Sequence, residues 1–180
     1  YGRREADIEY GTNPCSEIIL RPKQFCNLSE VVVRAEDTLT TLLNKVKLAT
    51  ILGTIQSTFT DFKGLGRQWA KNTEEERLLG VSLTGILDNA MLANKTKDNL
   101  PQILSDLREH CVDVNRKFSK QFNIESSAAI TCVKPSGTVS QLVDAASGIH
   151  PRHSEYYIRT VRADKKDPLT LFMTDEGFPV

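Results

Sequence analysis

The sequence lacks a surplus of either charge, since 23 Lys and Arg residues stand against 23 Asp and Glu residues. It also lacks an apolar run of membrane-spanning length, and its first residues do not resemble a signal peptide. These absences give no argument for a nucleic-acid or a membrane partner, and we expect neither. With 180 residues, of which 39% are hydrophobic, the chain is long enough to bury a core of its own.

Metal-site spacing is missing as well. No two cysteines have the short separation that is typical of a zinc site, because they occur at Cys15, Cys26, Cys111 and Cys132. We therefore predict no metal site and a reduced, cytoplasmic setting. Cys111 and Cys132 fall in apolar segments, where a cysteine is most often a small buried side chain, and both are predicted to be structural.

Strand-like and helix-like segments alternate along the chain. Runs of β-branched and apolar residues predict strands at 17–20, 28–33, 79–84, 128–133 and 156–161. Helical spacing predicts helices at 38–59, 84–91, 98–122, 137–145 and 168–175. Asp37 is the expected N-cap of the first helix, and Thr73 with Glu76 resembles a capping box that opens a short one. This alternation predicts an α/β fold with mostly parallel strands.

The frame Asn13-Pro14-Cys15-Ser16-Glu17 places an amide, a thiol and a carboxylate at alternating positions. In an extended segment these three side chains would project together into one pocket. The carboxylate disfavours the thiolate form of Cys15, which argues against a papain-type nucleophile. Glu17 is followed by an apolar run, so we expect it to be partly buried, with its pKa raised toward the range of a general acid or base.

A second candidate site follows the predicted strand at 128–133. Hydroxyl side chains and Gly137 stand where the chain turns into the next predicted helix. Helix N-termini attract phosphate through free N–H groups and partial positive charge. The alternative is an ordinary capped helix start, which most junctions of this composition are.

Four stretches resemble ribonucleotide reductase, specifically the adenosylcobalamin-dependent class II enzymes. They are GTNPCSEIIL at 11–20, FCNLSEVVV at 25–33, GVSLTGILD at 80–88 and VKPSGTVSQLVDAASGIHPRHS at 133–154, in the order of the family. Pro14 resembles the class II form of this motif, because class I enzymes typically carry Leu at this position. A class I or an anaerobic class III relative is the alternative within the family.

The resemblance implies a fold and an activity. The fold is part of the family's ten-stranded α/β barrel, with Cys15 on a loop inserted into the barrel. Residues 1–180 are then expected to be a single partial domain from the C-terminal portion of the barrel, truncated at both ends. The activity is that of an oxidoreductase which converts ribonucleoside di- or triphosphates to 2′-deoxyribonucleotides for DNA synthesis, with adenosylcobalamin as the radical source.

The resemblance also implies a role for each site residue. Cys15 becomes a transient thiyl radical that abstracts the 3′ hydrogen, Glu17 takes a proton from the 3′ hydroxyl, and Asn13 binds substrate hydroxyls. Cys26 is one of two thiols that reduce the substrate and end as a disulfide, and its partner is expected upstream of this chain. The substrate phosphates are held by Pro135, Ser136, Gly137, Thr138, Val139 and Ser140.

The partners implied are the ribonucleotide substrate, a thioredoxin-like reductant, and allosteric nucleotides that bind regions outside this chain. Because the second reducing thiol and the cysteines that re-reduce the pair are missing, the chain alone is not expected to complete a turnover. The alternative function is a nucleotide-binding fragment that keeps the phosphate loop without complete catalytic machinery.

Overall fold

A short antiparallel hairpin lies near the start of the chain. In the computed structural model, which describes residues 4–179, β1 (Gly11–Thr12) pairs with β2 (Ile19–Leu20). The predicted strand at 17–20 is therefore confirmed only in its last two residues. The hairpin loop, residues 13–18, carries the Asn-Pro-Cys-Ser-Glu frame.

Two parallel strands form the centre of the fold. β3 (Asn27–Val32) pairs with β4 (Leu79–Thr84), with Asn27 opposite Leu79 and Val32 opposite Thr84. They are joined by α1 (Leu39–Gln56) and α2 (Arg67–Glu76), as parallel strands require a long crossover connection. Both strand predictions and the parallel pairing are confirmed.

A third extended segment, residues 128–133, runs parallel to β4 on its other side. Val81 forms a parallel bridge with Thr131, and the Cys132 N–H donates to the Val81 carbonyl over 3.0 Å. α3 (Leu100–Gln121) connects β4 to this segment. The result is a β-α-β-α-β series of mixed α/β architecture, which confirms the predicted fold class in its coarse form.

The main core lies between the strands and the two long helices. Its buried side chains come from β3, β4, α1 and α3 and from the residues next to them: Val31, Val33, Leu42, Val46, Leu79, Val81, Leu92, Ile103, Leu107, Cys111 and Ile130. Because side chains alternate along a strand, Cys26, Leu28, Glu30 and Gly80 belong to the opposite face. On that face the hairpin residue Ile18 packs with Leu78 and Ala128.

The first helix starts one residue later than predicted. Thr38 is its N-cap, and the side chains of Thr38 and Thr41 each bond the other residue's backbone N–H. Asp37, the predicted cap, instead accepts from the Thr41 hydroxyl and pairs with Lys45.

The predicted capping box at Thr73 and Glu76 is wrong, because both residues lie in the last turn of α2. Glu76 is 3% exposed and holds tertiary partners instead. Arg4 NH2 lies 3.0 Å from its Oε2, Arg21 Nε lies 3.5 Å from its Oε1, and Gln24 donates to Oε2 over 2.8 Å. Arg4 also donates to the Ile19 carbonyl, so this ion network holds the hairpin against α2.

The C-terminal part follows the predictions less closely. A 3₁₀ turn (Ile86–Asp88) stands where a helix at 84–91 was predicted, and α4 is short (Thr138–Leu142). The strand predicted at 156–161 is wrong: this segment is irregular and unpaired, with Ile158 99% exposed. The helix predicted at 168–175 is confirmed as α5 (Pro168–Asp175). Across residues 4–179, no helix combines the length and apolarity needed to span a bilayer.

Gly53 marks the closest approach of α1 to β4. A Cβ at this buried position would lie 2.2 Å from Leu79 Cδ2, and Leu79 is itself fully buried. We expect Gly53→Ala to lower the free energy of unfolding by about 1–3 kcal/mol, because overpacking outweighs the gain in helix propensity. Urea unfolding checks this, with Gly66→Ala as the control, since nothing lies within 4 Å of that Cβ position. Equal stability of the two variants would contradict the prediction.

Candidate active site

The hairpin loop is a tight turn, so the prediction that residues 13–17 are extended is wrong. The Ser16 N–H donates to the Asn13 carbonyl over 2.9 Å, and the Ile18 N–H donates to Asn13 Oδ1 over 3.0 Å. Pro14 fits the second position of a turn, where its fixed φ is favoured. Ser16 takes a left-handed φ of 62°. Asn13 therefore has a structural role, because its backbone and side-chain oxygens both accept hydrogen bonds that close the loop.

Cys15 stands at the tip of this turn. Its side chain is exposed, and so are its neighbours Pro14 and Ser16. Residues 4–179 therefore leave Cys15 exposed to solvent, whereas a radical at this position would require shelter from it.

Glu17 is turned the other way, toward the strands. Its side chain is 1% exposed, and its Oε1 lies 3.2 Å from Lys134 Nζ. The second oxygen, Oε2, is buried and has no hydrogen-bond partner among the described residues. A buried acceptor without a partner is costly, and such atoms commonly mark a place where a ligand donates.

The environment of Glu17 lowers the pKa of its carboxyl. Burial on its own would raise the pKa, but hydrogen bonding from its own backbone, from the Asn13 side chain and from Lys134 outweighs burial, and the Lys134 charge adds to this. The prediction of a raised pKa is wrong because it considered burial without the hydrogen bonds from the backbone, Asn13 and Lys134. At neutral pH the group is a carboxylate that can accept a proton.

Cys26 and Cys132 lie near Glu17, and both are free thiols. They pack against the same small cluster of Ile18, Leu78 and Ala128. Burial, with the charges of Cys132 and Glu17, raises the pKa of Cys26 to about 12. Burial and Glu17 raise the pKa of Cys132 to about 11. Both sulfurs are therefore protonated at neutral pH, as hydrogen donors rather than nucleophiles.

Sequence reasoning missed Lys134 and gave Cys132 only a structural role. Residues 132 and 134 are two positions apart and so share a face, but alternation does not extend through the whole segment, because Ile130 lies in the main core. Sequence alone could not show that this face meets Glu17, 117 residues away.

The predicted phosphate loop has two of its hydroxyls engaged within the protein. Ser136 donates to Glu30 over 2.7 Å, and Ser140 donates to the Gly137 carbonyl over 2.7 Å. Gly137, with φ of 61°, leads into α4. Thr138 and Val139 are exposed in its first turn, where N–H groups lack intrahelical partners.

A cleft of about 770 Å³ lies beside this loop. Ser140, Asp144, Arg152 and His153 help to line it, whereas Cys15 and Glu17 do not. Arg152 is held by Asp88, with Nε 3.0 Å from Oδ1, and by Asp144, with NH1 2.7 Å from Oδ1.

The structure thus brings Asn13, Glu17, Cys26 and Lys134 together, and the loop at 135–140 follows Lys134 directly. Cys15 lies on the same hairpin but faces outward. Among the residues that the structure describes, no group of three or more His, Cys, Asp or Glu side chains could hold a metal ion. The arrangement can take a proton, deliver hydrogen from a thiol and offer backbone N–H groups to an anion.

Comparisons with known proteins point to one kind of enzyme, although no protein-family model matches the chain. Over 97% of its length it is 31% identical to an adenosylcobalamin-dependent ribonucleoside-triphosphate reductase of Lactobacillus gasseri, covering 26% of that protein. Over 94% it is 29% identical to a probable enzyme of the same name from Dictyostelium discoideum, covering 22% of it. The chain also resembles the crystal structure of a B12-dependent (class II) ribonucleotide reductase, with a TM-score of 0.64 and 26% sequence identity. The match covers 80% of this chain and 23% of the reductase chain. The chain spans about a quarter of the length of these relatives.

Proposed function

The chain belongs to the adenosylcobalamin-dependent, class II ribonucleotide reductases, and on that premise we propose that its full-length protein reduces ribonucleotides to 2′-deoxyribonucleotides. The substrate class proposed is the ribonucleoside triphosphate, which the matching relatives have in their names. The observation that carries the proposal is the buried Glu17 carboxylate, with one oxygen unpartnered, on the same loop as Cys15.

We propose that the β-α-β-α-β series is part of the family's ten-stranded barrel, within a single partial domain formed by residues 1–180. α1 and α3 cover one face of the strands, and the hairpin lies on the other. If the strands continue into a closed barrel, the helix-free face becomes its interior. The hairpin would then be the inserted loop, and further strands would shelter Cys15.

Cys15, Glu17 and Asn13 would share the first steps. The Cys15 sulfur radical takes the 3′ hydrogen atom and becomes a thiol, which leaves the unpaired electron on the substrate carbon. Glu17 accepts the 3′ hydroxyl proton at Oε2, and its lowered pKa keeps it ionised to do so. Asn13 would orient the substrate hydroxyls from the base of the turn.

Cys26 would supply part of the reducing power. Two thiols give two hydrogen atoms in total and become a disulfide, while the 2′ hydroxyl leaves as water. At the end Cys15 returns a hydrogen atom to the 3′ carbon and regains its radical, and Glu17 returns the proton to the 3′ oxygen. The raised pKa of Cys26 fits a group that gives up hydrogen as a thiol. We place its partner thiol outside this chain.

Substrate phosphates would bind at Pro135, Ser136, Gly137, Thr138, Val139 and Ser140. The hydroxyls of Ser136 and Ser140 already donate to protein acceptors. The contacts would therefore come from backbone N–H groups at the start of α4 and from the exposed Thr138 hydroxyl.

Adenosylcobalamin would supply the initial radical. The residues around Cys15 do not fit a cradle for its corrin ring, since Pro14, Cys15 and Ser16 are all exposed on a turn. We therefore place the cofactor site in parts of the enzyme beyond these residues. A thioredoxin-like reductant, allosteric nucleotides bound elsewhere and a cytoplasmic location complete the proposal.

A second candidate function is nucleotide binding without complete catalysis, favoured by the exposure of Cys15. One assay separates the two: the full-length protein is incubated with ribonucleoside triphosphates, a dithiol and adenosylcobalamin, and products are separated by chromatography. We expect deoxynucleotides only when the cofactor is added. Nucleotide binding without product would favour the second function, and product formed with a diiron partner subunit instead of the cofactor would indicate class I.

A further inference from the structure

The ion pair between Glu17 and Lys134 joins the hairpin to the end of the third extended segment. Lys134 Nζ lies 3.2 Å from Glu17 Oε1, and the two side chains are 23% and 1% exposed. Charges so placed are screened by water much less than surface pairs, and their mutual attraction is correspondingly stronger. The pair is therefore able to fix the orientation of the carboxylate.

The backbone of Lys134 is closely packed against Gly148. Gly148 has a left-handed φ of 55°, and a Cβ there would lie 2.6 Å from the Lys134 carbonyl oxygen. The Gly148 N–H donates to Thr84 Oγ1 over 2.9 Å, at the end of β4. Lys134 thus packs against a residue that is itself bonded to the end of β4.

We propose that Lys134 is a positioning residue for Glu17: its ammonium group holds Oε1 and leaves Oε2 free to accept a proton from a substrate hydroxyl. The identity of that substrate as a ribonucleotide rests on the proposed function. Because Pro135 follows Lys134 directly, the same lysine sets the spacing between the proton acceptor and the phosphate loop.

The other groups near Glu17 leave this role to Lys134. Cys26 and Cys132 are neutral thiols at physiological pH, because burial raises the pKa of each. Asn13 also hydrogen-bonds the Glu17 carboxyl but brings no charge to it, and Glu30, which raises the pKa of Cys132, accepts from Ser136. The charge of Arg4 lowers the pKa of Cys26, and Arg4 is paired with Glu76.

The test compares Lys134→Met, which keeps the length of the side chain, with Lys134→Arg, which keeps the charge. The Glu17 carboxyl carbon is followed by ¹³C NMR during a pH titration of the purified protein, and Glu17→Gln assigns the signal. Loss of the cation should raise the pKa of Glu17 in Lys134→Met, and Lys134→Arg should keep it low. In the full-length enzyme, kcat/KM of Lys134→Met should fall on the order of 10- to 100-fold. The acid limb of the pH profile of kcat/KM should move to higher pH in Lys134→Met. Lys134→Arg should restore both the rate and the profile.

Lys45→Met is the matched control, since Lys45 pairs with Asp37 at the start of α1, away from the hairpin. It should leave the Glu17 titration and kcat/KM unchanged. An unchanged Glu17 titration in Lys134→Met, or equal losses of activity in the Met and Arg variants, would overturn the inference. The NMR result decides the coupling even if the wild-type protein makes no deoxynucleotides, which would refute the proposed function alone.

Discussion

Replacing Cys15 by Ser is expected to abolish deoxynucleotide formation, with a loss of at least about 10³-fold in kcat. A hydroxyl cannot replace the thiol, because the O–H bond is much stronger than the S–H bond and the oxygen radical is not formed. The Cys15 side chain is exposed, so the free energy of unfolding should change by less than about 0.5 kcal/mol. The loss would therefore be chemical, and chromatography of the products measures it.

Cys111→Ala is the control for this experiment. Cys111 is 1% exposed in the main core, so its replacement should lower stability while each folded molecule keeps its activity. If Cys15→Ser makes deoxynucleotides at the wild-type rate, the radical role is refuted.

Replacing Glu76 by Gln is expected to lower the free energy of unfolding by about 1–3 kcal/mol. The change removes the negative charge that both Arg4 and Arg21 face, and Arg21 is buried with 5% of its side chain exposed. Arg21 keeps its ion pair with Glu75, at 2.9 Å, but it loses one of its two carboxylate partners, whereas the amide keeps nearly the same shape. Urea unfolding at neutral pH gives the value.

Glu74→Gln tests the same helix two residues away. Glu74 is exposed and accepts from the Thr60 hydroxyl, so we expect a change within about 0.5 kcal/mol. Were the two variants equally stable, the ion network would have no net role in holding the hairpin to α2.

The sequence was sufficient where local pattern and tertiary structure agree. β4 and α5 have the predicted bounds, and α3 differs by a residue or two at each end, because apolar periodicity and proline placement decide those elements. The Thr73 and Glu76 capping box failed because a Thr-x-x-Glu spacing looks the same at either end of a helix. The role of Glu76 comes from its ion pairs with Arg4 and Arg21, which are distant in the sequence and meet Glu76 only in the folded chain.

For the candidate site, the frame identified the residues but not their geometry. Asn13 and Pro14 favour a turn over an extended segment, and this turn sends Cys15 outward and Glu17 inward. The pKa of Glu17 depends on hydrogen bonds from its own backbone, from Asn13 and from Lys134, and Lys134 reaches it from a segment 117 residues away in the sequence. The roles of the site residues stay predictions until the experiments above are done.

The two-residue strands of the hairpin have a consequence for its dynamics. Few backbone hydrogen bonds hold β1 to β2, whereas β3 and β4 are paired over six residues each. Local opening of the hairpin therefore costs less free energy than opening of the central strands. The contacts of Ile18, Arg4 and Lys134 therefore carry much of the attachment of the loop that bears the thiol.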